Sequence, residues 1–212
     1  MYTNFEIVCK KQEKSQFYYG QHKPIFFLKN KLIFTIGPHW KVFCIAMSIL
    51  LLISILMNVN IYKKCRKKAI KIIMEQQEGA NEPLSEEIAD NEVSILSSQF
   101  TLFFFFLTVS LLQHFTYLWV FLKNPGIVYK PEYNPATSRR ASITRMCSIC
   151  KAFKNSQRCH CMYCEICIEQ YSHHCPWIGK CVGINNHTSF QYLKFFTALY
   201  FLVGIFVLCW KI

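Results

Sequence analysis

Charge is scarce in this chain. Of its 212 residues only 17% are charged, against 52% hydrophobic and 16% aromatic, proportions that exclude an ordinary soluble globule and put a membrane protein first. Acidic residues are the scarcer sign, 12 against 24 Lys and Arg, for a formal net charge of +12. That excess fits nucleic acid, an anionic membrane surface or acidic ligands, and only the placement of the basic residues chooses among them. The N-terminus, MYTNFEIVCKKQEKSQFYYG, lacks the compact apolar core followed by small residues that marks a cleaved signal peptide. Insertion is therefore expected to depend on internal segments. No internal repeat or low-complexity tract stands out.

What is there begins with long apolar runs. From Val42 to Tyr62 the chain reads VFCIAMSILLLISILMNVNIY without a charge; at ~1.5 Å per residue, a helix of this length covers the roughly 30 Å hydrocarbon core. A second charge-free run lies between Ser94 and Leu122, centred on TLFFFFLTVSLLQHFTYLWVFL, and a third, FFTALYFLVGIFVLCW, has an aromatic lead-in from Phe190 and reaches Trp210. His114, inside the second run, is expected to be hydrogen-bonded at a helix interface. The earlier stretch IFFLKNKLIFTIGPHW is broken by Lys29, Lys31 and Pro38 and reads as an interfacial approach segment rather than a span. After the first run, Lys63, Lys64, Arg66, Lys67 and Lys68 give way to an acidic stretch containing Pro and Gly. This reads as a helix extension with snorkelling lysines, then a flexible polar loop.

Twelve cysteines are many for this length, and eight of them fall between Cys147 and Cys181 together with His160, His173 and His174. Disulfide frameworks have no use for interleaved histidines, so the cluster reads as metal ligands in a reducing compartment. The spacings are Cys147-x2-Cys150, Cys159-His160-Cys161, Cys161-x2-Cys164-x2-Cys167 and His173-His174-Cys175-x5-Cys181. Pairs at x2 spacing close as a knuckle on a tetrahedral Zn2+, which takes four Cys or His donors. Two closed sites use eight of the eleven donors and leave three, without saying which. A RING-type ubiquitin ligase domain would need a closing C-x2-C pair after the histidines, and a nucleic-acid-binding finger would need a basic recognition helix. The chain has neither at that point; downstream of Cys181 lie Phe190, Tyr192 and an apolar run.

The expected fold class is thus an α-helical polytopic membrane protein, with three transmembrane helices and a small zinc-stabilised cysteine-rich domain between the second and third. The boundaries are an N-terminal segment over 1–41, spans over 42–62, 99–122 and 191–210, a polar loop over 63–98 and the cysteine-rich domain over 123–190. Basic residues flank the first span on both sides, so the positive-inside rule votes weakly. Reduced cysteines weigh more and put the zinc domain in the cytosol.

CSIC at 147–150, HCMYCEIC at 160–167, SHHCPWIGKCVG at 172–183, and Asn186 with Phe190 together resemble the DHHC cysteine-rich domain of protein S-acyltransferases, the palmitoyltransferases. Asn124-Pro125-Gly126 resembles that family's Asp-Pro-Gly motif with its first residue changed. The resemblance implies one zinc on Cys147, Cys150, His160 and Cys167 and a second on Cys161, Cys164, His174 and Cys181. It leaves Cys175 as nucleophile, His173 as its base and Cys159 as an extra thiol. Implied with these are a fatty acyl-CoA donor, palmitoyl above all, and cysteines of membrane-associated proteins as acceptors. The setting implied is the lipid bilayer of an endomembrane such as Golgi or ER, with no nucleic acid.

Three departures accompany the resemblance. Ser172 stands where the family has its eponymous aspartate, which would fix the histidine tautomer and stabilise the imidazolium. Lys180 replaces an asparagine, adding positive charge near the expected nucleophile, and Gln157 replaces an arginine. The chain ends at Ile212, where family members usually continue into a fourth span and a Thr-Thr-x-Glu motif, so a truncated C-terminus is expected. Two functional classes fit these residues: an S-acyltransferase acting through Cys175, and a catalytically impaired zinc-stabilised membrane adaptor.

Overall fold

The computed structural model describes residues 19–28, 31–78, 86–128, 147–150 and 157–209. Parts of the expected N-terminal segment (1–18 and 29–30), polar loop (79–85), cysteine-rich domain (129–146 and 151–156) and third span (210), together with residues 211–212, lie outside the described residues. The elements in chain order are strands β1 (Lys23–Leu28) and β2 (Lys31–Ile36), helices α1 (Trp40–Glu78) and α2 (Glu86–Leu122), strands β3 (Cys159–Cys161), β4 (Ile166–Ile168), β5 (His173–Cys175) and β6 (Lys180–Val182), and helix α3 (His187–Cys209). All three helices contain a stretch long and apolar enough to cross a membrane, over Trp40–Met74, Val93–Leu122 and His187–Cys209. The chain is a multi-pass membrane protein with a cysteine- and histidine-rich cluster between the second and third helices.

The helices run further than the apolar windows. α1 continues past Tyr62 through the basic cluster to Glu78, and α2 begins at Glu86. Charge ends an apolar window without ending a helix. Lys, Arg, Gln and Glu are good helix formers, and a helix already nucleated in its apolar part extends at little further cost.

The chain forms two compact units. One comprises residues 45–118 and 191–212 and is a helical bundle. Its core gathers Ile61 and Cys65 of α1, Phe106 and Val109 of α2, and Tyr200 and Val207 of α3. The Phe106 and Tyr200 rings stack at 5.6 Å, and the Tyr200 hydroxyl lies 3.0 Å from Ser54 Oγ. Where the surroundings are as apolar as the core, such packing and hydrogen bonding, rather than water exclusion, hold helices together. Leu52, Leu56, Leu111, Leu202 and Leu208 point outward, as lipid-facing positions do. His114 is hydrogen-bonded as expected, its partner lying on its own helix: Nδ1 is 2.7 Å from the carbonyl oxygen of Ser110.

The other unit comprises residues 1–44 and 119–190, and its frame is three antiparallel hairpins. β1 pairs with β2 from Lys23↔Ile36 to Leu28↔Lys31, with the register shifting at Phe26. Phe, Ile, Leu and Thr fill both strands, residues that suit a half-buried pleated surface. The stretch read as an interfacial approach segment is therefore a β-hairpin; Ile25, Phe26, Phe27 and Leu28 of β1 remain exposed, while Leu32 and Thr35 of β2 are buried. β3 pairs with β4, and β5 with β6, over three residues each. Leu32, Ile127, Ile166 and Ile168 pack with Cys161, Cys164 and Cys181 as one core.

Asn124, after α2, ties this frame together. Its Oδ1 accepts from the backbone N–H groups of Gly126 and Ile127 at 3.1 and 3.3 Å, closing a turn over Pro125. Its Nδ2 donates to the Leu32 carbonyl at 2.9 Å, and its backbone N–H donates to Ile33. Lys180 on β6, fully buried, donates to the carbonyls of Thr35 at 2.6 Å and Lys123 at 2.9 Å and lies 3.2 Å from the Thr35 hydroxyl. Burial pushes the Lys180 amine well below the ordinary lysine range, and three oxygens offset that cost. Its charge was expected near Cys175, and Lys180 does stand directly opposite Cys175 in the β5–β6 register, with its amine held by the β2 and Lys123 backbones.

β2 reaches the β5–β6 hairpin through Gly37. A side chain there would collide with the Gly179 carbonyl and the Lys180 Cβ, and Gly179 itself has φ +69°. Substituting Gly37→Ala is expected to destabilise this unit by about 1–3 kcal/mol through overpacking. Limited proteolysis in detergent should show faster cleavage of the 1–44 segment and of 119–190, with the three-helix bundle protected as before.

Candidate metal centres and reactive thiol

Side chains alternate faces along a strand, and directly opposed residues of an antiparallel pair share a face. In β3–β4, His160 opposes Cys167; in β5–β6, His174 opposes Cys181. Each opposed His and Cys pair is completed by a short-spaced cysteine pair. Cys147 and Cys150 join His160 and Cys167, while Cys161 and Cys164 join His174 and Cys181, and within each group the ligand atoms all lie within 4.8 Å of one another. Because His160 and Cys161 are neighbours on β3, they face opposite ways and serve different groups. The two groups are thus laced together through a single strand.

The donors suit a tetrahedral ion. With Zn–S near 2.3 Å and Zn–N near 2.0 Å, a tetrahedral site separates its donors by roughly 3.5–3.8 Å. His160 Nδ1 lies 3.5 Å from Cys147 Sγ and 3.6 Å from Cys150 Sγ. His174 Nδ1 lies 3.6, 3.4 and 3.6 Å from the sulfurs of Cys161, Cys164 and Cys181. The sulfurs approach each other more closely, at 3.1 Å for Cys150 and Cys167 and 3.4 Å for Cys164 and Cys181, yet all are free thiols. Hydrogen bonds from Cys164 and Cys181 push the Cys161 thiol pKa down, and the same pairings push Cys164 up to about 12 and Cys181 higher still. Buried thiols that must share protons in this way are what a divalent cation relieves, since it takes all three as thiolates. Both Cys3His groups could hold a metal, and their chemistry fits zinc.

The same alternation leaves a thiol over. His174 faces its group, so His173 and Cys175 lie on the opposite face of β5, and neither belongs to a four-donor set. Cys175 is a free thiol, 7% exposed. His173 is exposed, its ring edge-on to Phe190 at 5.3 Å, and its Nδ1 lies 3.1 Å from Ser172 Oγ. The Ser172 backbone N–H donates to Val182 at 3.0 Å, so the Ser-His pair is held by β6. Cys159, the expected spare, is exposed on β3 opposite Ile168 and outside both groups. Gln157 is exposed, while the neighbouring Arg158 pairs with Glu169. Asn186, at the start of α3, accepts from Gly183 N–H at 2.9 Å and donates to the Cys181 carbonyl at 3.0 Å, bracketing β6 from behind.

Counting donors between Cys147 and Cys181 could not reveal His39. It lies far upstream, just before α1, and its Nδ1 sits 2.9 Å from Nε2 of His174. Nor did spacing reveal the contact of Lys180 with β2. Asn124 did carry a signal, since asparagine before Pro-Gly favours a side-chain-closed turn.

Residues 141–212 match the model of the family described as DHHC palmitoyltransferase. The chain is 33% identical over 129 residues, 58% of its length, to the palmitoyltransferase ZDHHC17 of Rattus norvegicus. It is 35% identical over 85 residues, 40% of its length, to the probable protein S-acyltransferase 7 of Arabidopsis thaliana. With the palmitoyltransferase swf1 of Schizosaccharomyces pombe it shares 40% identity over 68 residues, 30% of its length. These matches span 19%, 16% and 19% of the relatives' own lengths, respectively.

The two-group geometry predicts metal content. Elemental analysis of the purified chain should find two zinc ions, unchanged in Cys159→Ser. Cys161→Ser and Cys150→Ser should each lose about one ion or more, because three remaining donors no longer close a structural site.

Proposed function

We propose that this chain, whose residues 141–212 match the DHHC palmitoyltransferase family model and which is similar to palmitoyltransferases over part of their length, is a protein S-acyltransferase with Cys175 as its nucleophile. One observation carries this reading: among the described residues two Cys3His groups take eight donors, and the strand that supplies His174 to one of them turns Cys175 and His173, members of neither group, to its other face.

In this mechanism His173 takes the Cys175 proton, and the thiolate sulfur attacks the thioester carbonyl of a long-chain fatty acyl-CoA. The Cys175 S–C bond forms, the bond from that carbon to the CoA sulfur breaks, and His173 returns the proton to the departing CoA thiolate. A cysteine of a membrane-associated protein then attacks the acyl-Cys175 thioester, and the Cys175 thiol is regenerated. Splitting one transfer into two lowers each barrier. Zinc, when bound by the two groups, supplies folding free energy and positive charge beside the strand. Ser172 orients His173 through its hydroxyl, and Phe190 backs the ring. α3 begins at His187, shortly after Cys175 in the chain, so the thiol is tethered to a membrane span, as an acyl donor dissolved in lipid requires. The free thiols favour a cytosolic face for this domain, and the family resemblance suggests an endomembrane such as Golgi or ER.

Ser172 also motivates the second reading, an impaired enzyme serving as a zinc-stabilised adaptor. Serine accepts a hydrogen bond from imidazole but carries no charge to stabilise imidazolium.

Incubation with an acyl-CoA analogue should give a hydroxylamine-sensitive label on the chain. Cys175→Ser should bring it to background, while Cys159→Ser leaves it intact; a label unchanged in Cys175→Ser removes this cysteine from the mechanism. Ser172→Asp should raise the rate of label formation on the order of tenfold, within the range that general base catalysis supplies. Wild-type protein that takes no label, with activity appearing only in Ser172→Asp, would establish the adaptor reading.

A further inference from the structure

His174 offers two ring nitrogens, and the structure assigns them different work. Nδ1 lies 3.4–3.6 Å from the three sulfurs of its group. A neutral imidazole that gives Nδ1 to a metal carries its hydrogen on Nε2, and Nε2 lies 2.9 Å from Nδ1 of His39. In that arrangement Nδ1 of His39 is the acceptor. Ligating histidines commonly give their outer N–H to such a partner, which fixes tautomer and ring orientation. Here the partner is a histidine from outside the cysteine-rich segment.

We propose that His39 is a positioning residue: by accepting the His174 Nε2–H it orients this ligand, and through it the strand that presents His173 and Cys175. The inference rests on the metal reading of the Cys161, Cys164, His174 and Cys181 group. Ring packing points the same way. The His39 and His174 rings meet edge-on at 5.0 Å and 78°, and Tyr163 packs against His174 at 4.8 Å and against His39 at 5.9 Å. His174 is flanked by the two residues assigned to chemistry, so a rotation of its ring about the strand is felt directly on either side.

The side chain's role can be separated from the docking of its segment. The His39 backbone N–H donates to the Gly179 carbonyl at 3.2 Å, Lys180 holds Thr35, and Asn124 holds Leu32 and Ile33. All of these survive a change of the His39 side chain. Asparagine is the informative substitute, because its Oδ1 stands close to where Nδ1 stands in histidine and accepts the same hydrogen bond.

The test uses the full chain in lipid nanodiscs, loaded with zinc, and follows zinc release to an excess of a coloured chelator. In wild type two ions leave at characteristic rates. His39→Ala should speed the release of one ion about 10–100-fold, the range found for lost outer partners of ligands, and leave the other rate unchanged. His39→Asn should restore the wild-type rate. In the cadmium-113 spectrum of the cadmium-loaded chain, His39→Ala should move one of two resonances, the one that disappears in Cys161→Ser. Acyl-enzyme formation should fall in His39→Ala and recover in His39→Asn. Wild-type release rates in His39→Ala overturn the inference. So does release from His39→Asn as fast as from a chain with no acceptor, a result readable even where the alanine variant does not fold. Wild-type protein that takes no metal at the Cys161 group overturns the metal reading itself, a separate outcome visible before any variant is made.

Discussion

Buried thiols packed against one another cannot all ionise without a cation, and that constraint organises the cysteine-rich unit. Strands β3 to β6 are three residues long, too short to hold their pairing by backbone hydrogen bonds alone. The β3–β4 and β5–β6 hairpins instead each bring an opposed His and Cys to one face and a short-spaced cysteine pair beside them. A divalent ion bound at each convergence would turn mutual repulsion into attraction and contribute the folding free energy that so small an apolar core lacks. Leu32, Ile127, Ile166 and Ile168 pack around the sulfurs of one group, so donor set and hydrophobic core coincide there.

Sharing of strands makes these sites more than staples. β3 supplies His160 to one group and Cys161 to the other, and β5 supplies His174 to one face and His173 with Cys175 to the opposite face. The strand's twofold alternation keeps the thiol proposed for chemistry out of the ligand set while holding it beside one. A reactive group needs this kind of fixed placement more than it needs contacts of its own.

How much of this was legible in the sequence varied with the range of the interaction. The three apolar helices could be read because lipid demands a long uncharged run, a local property. Both donor sets could be read with the family resemblance, and the strand register then brought the same eight residues together. The β1–β2 hairpin was not legible: KPIFFLKNKLIFTI shows too little alternation to separate a strand pair from an interfacial segment, and its pairing depends on what it packs against. The extension of α1 through its lysines was half legible, since the propensity was there and the charges suggested an earlier end. The partners of the Lys180 amine were not legible, because an unpaired lysine reads as a free charge, whereas here two carbonyls and a hydroxyl enclose it.

By itself, then, the sequence determined three apolar runs long enough to cross a membrane and a cluster with more Cys and His donors than two tetrahedral ions need, because lipid thickness and tetrahedral closure act over short chain distances. Only the tertiary structure decided which partners those donors have in turn. His39 meets His174 across a separation of 135 residues, and Lys180 meets Thr35 across 145. No local pattern encodes such meetings. They exist because β2 and the turn at Gly37 fold back onto the β5–β6 hairpin, where a missing side chain at Gly37 lets two backbones touch.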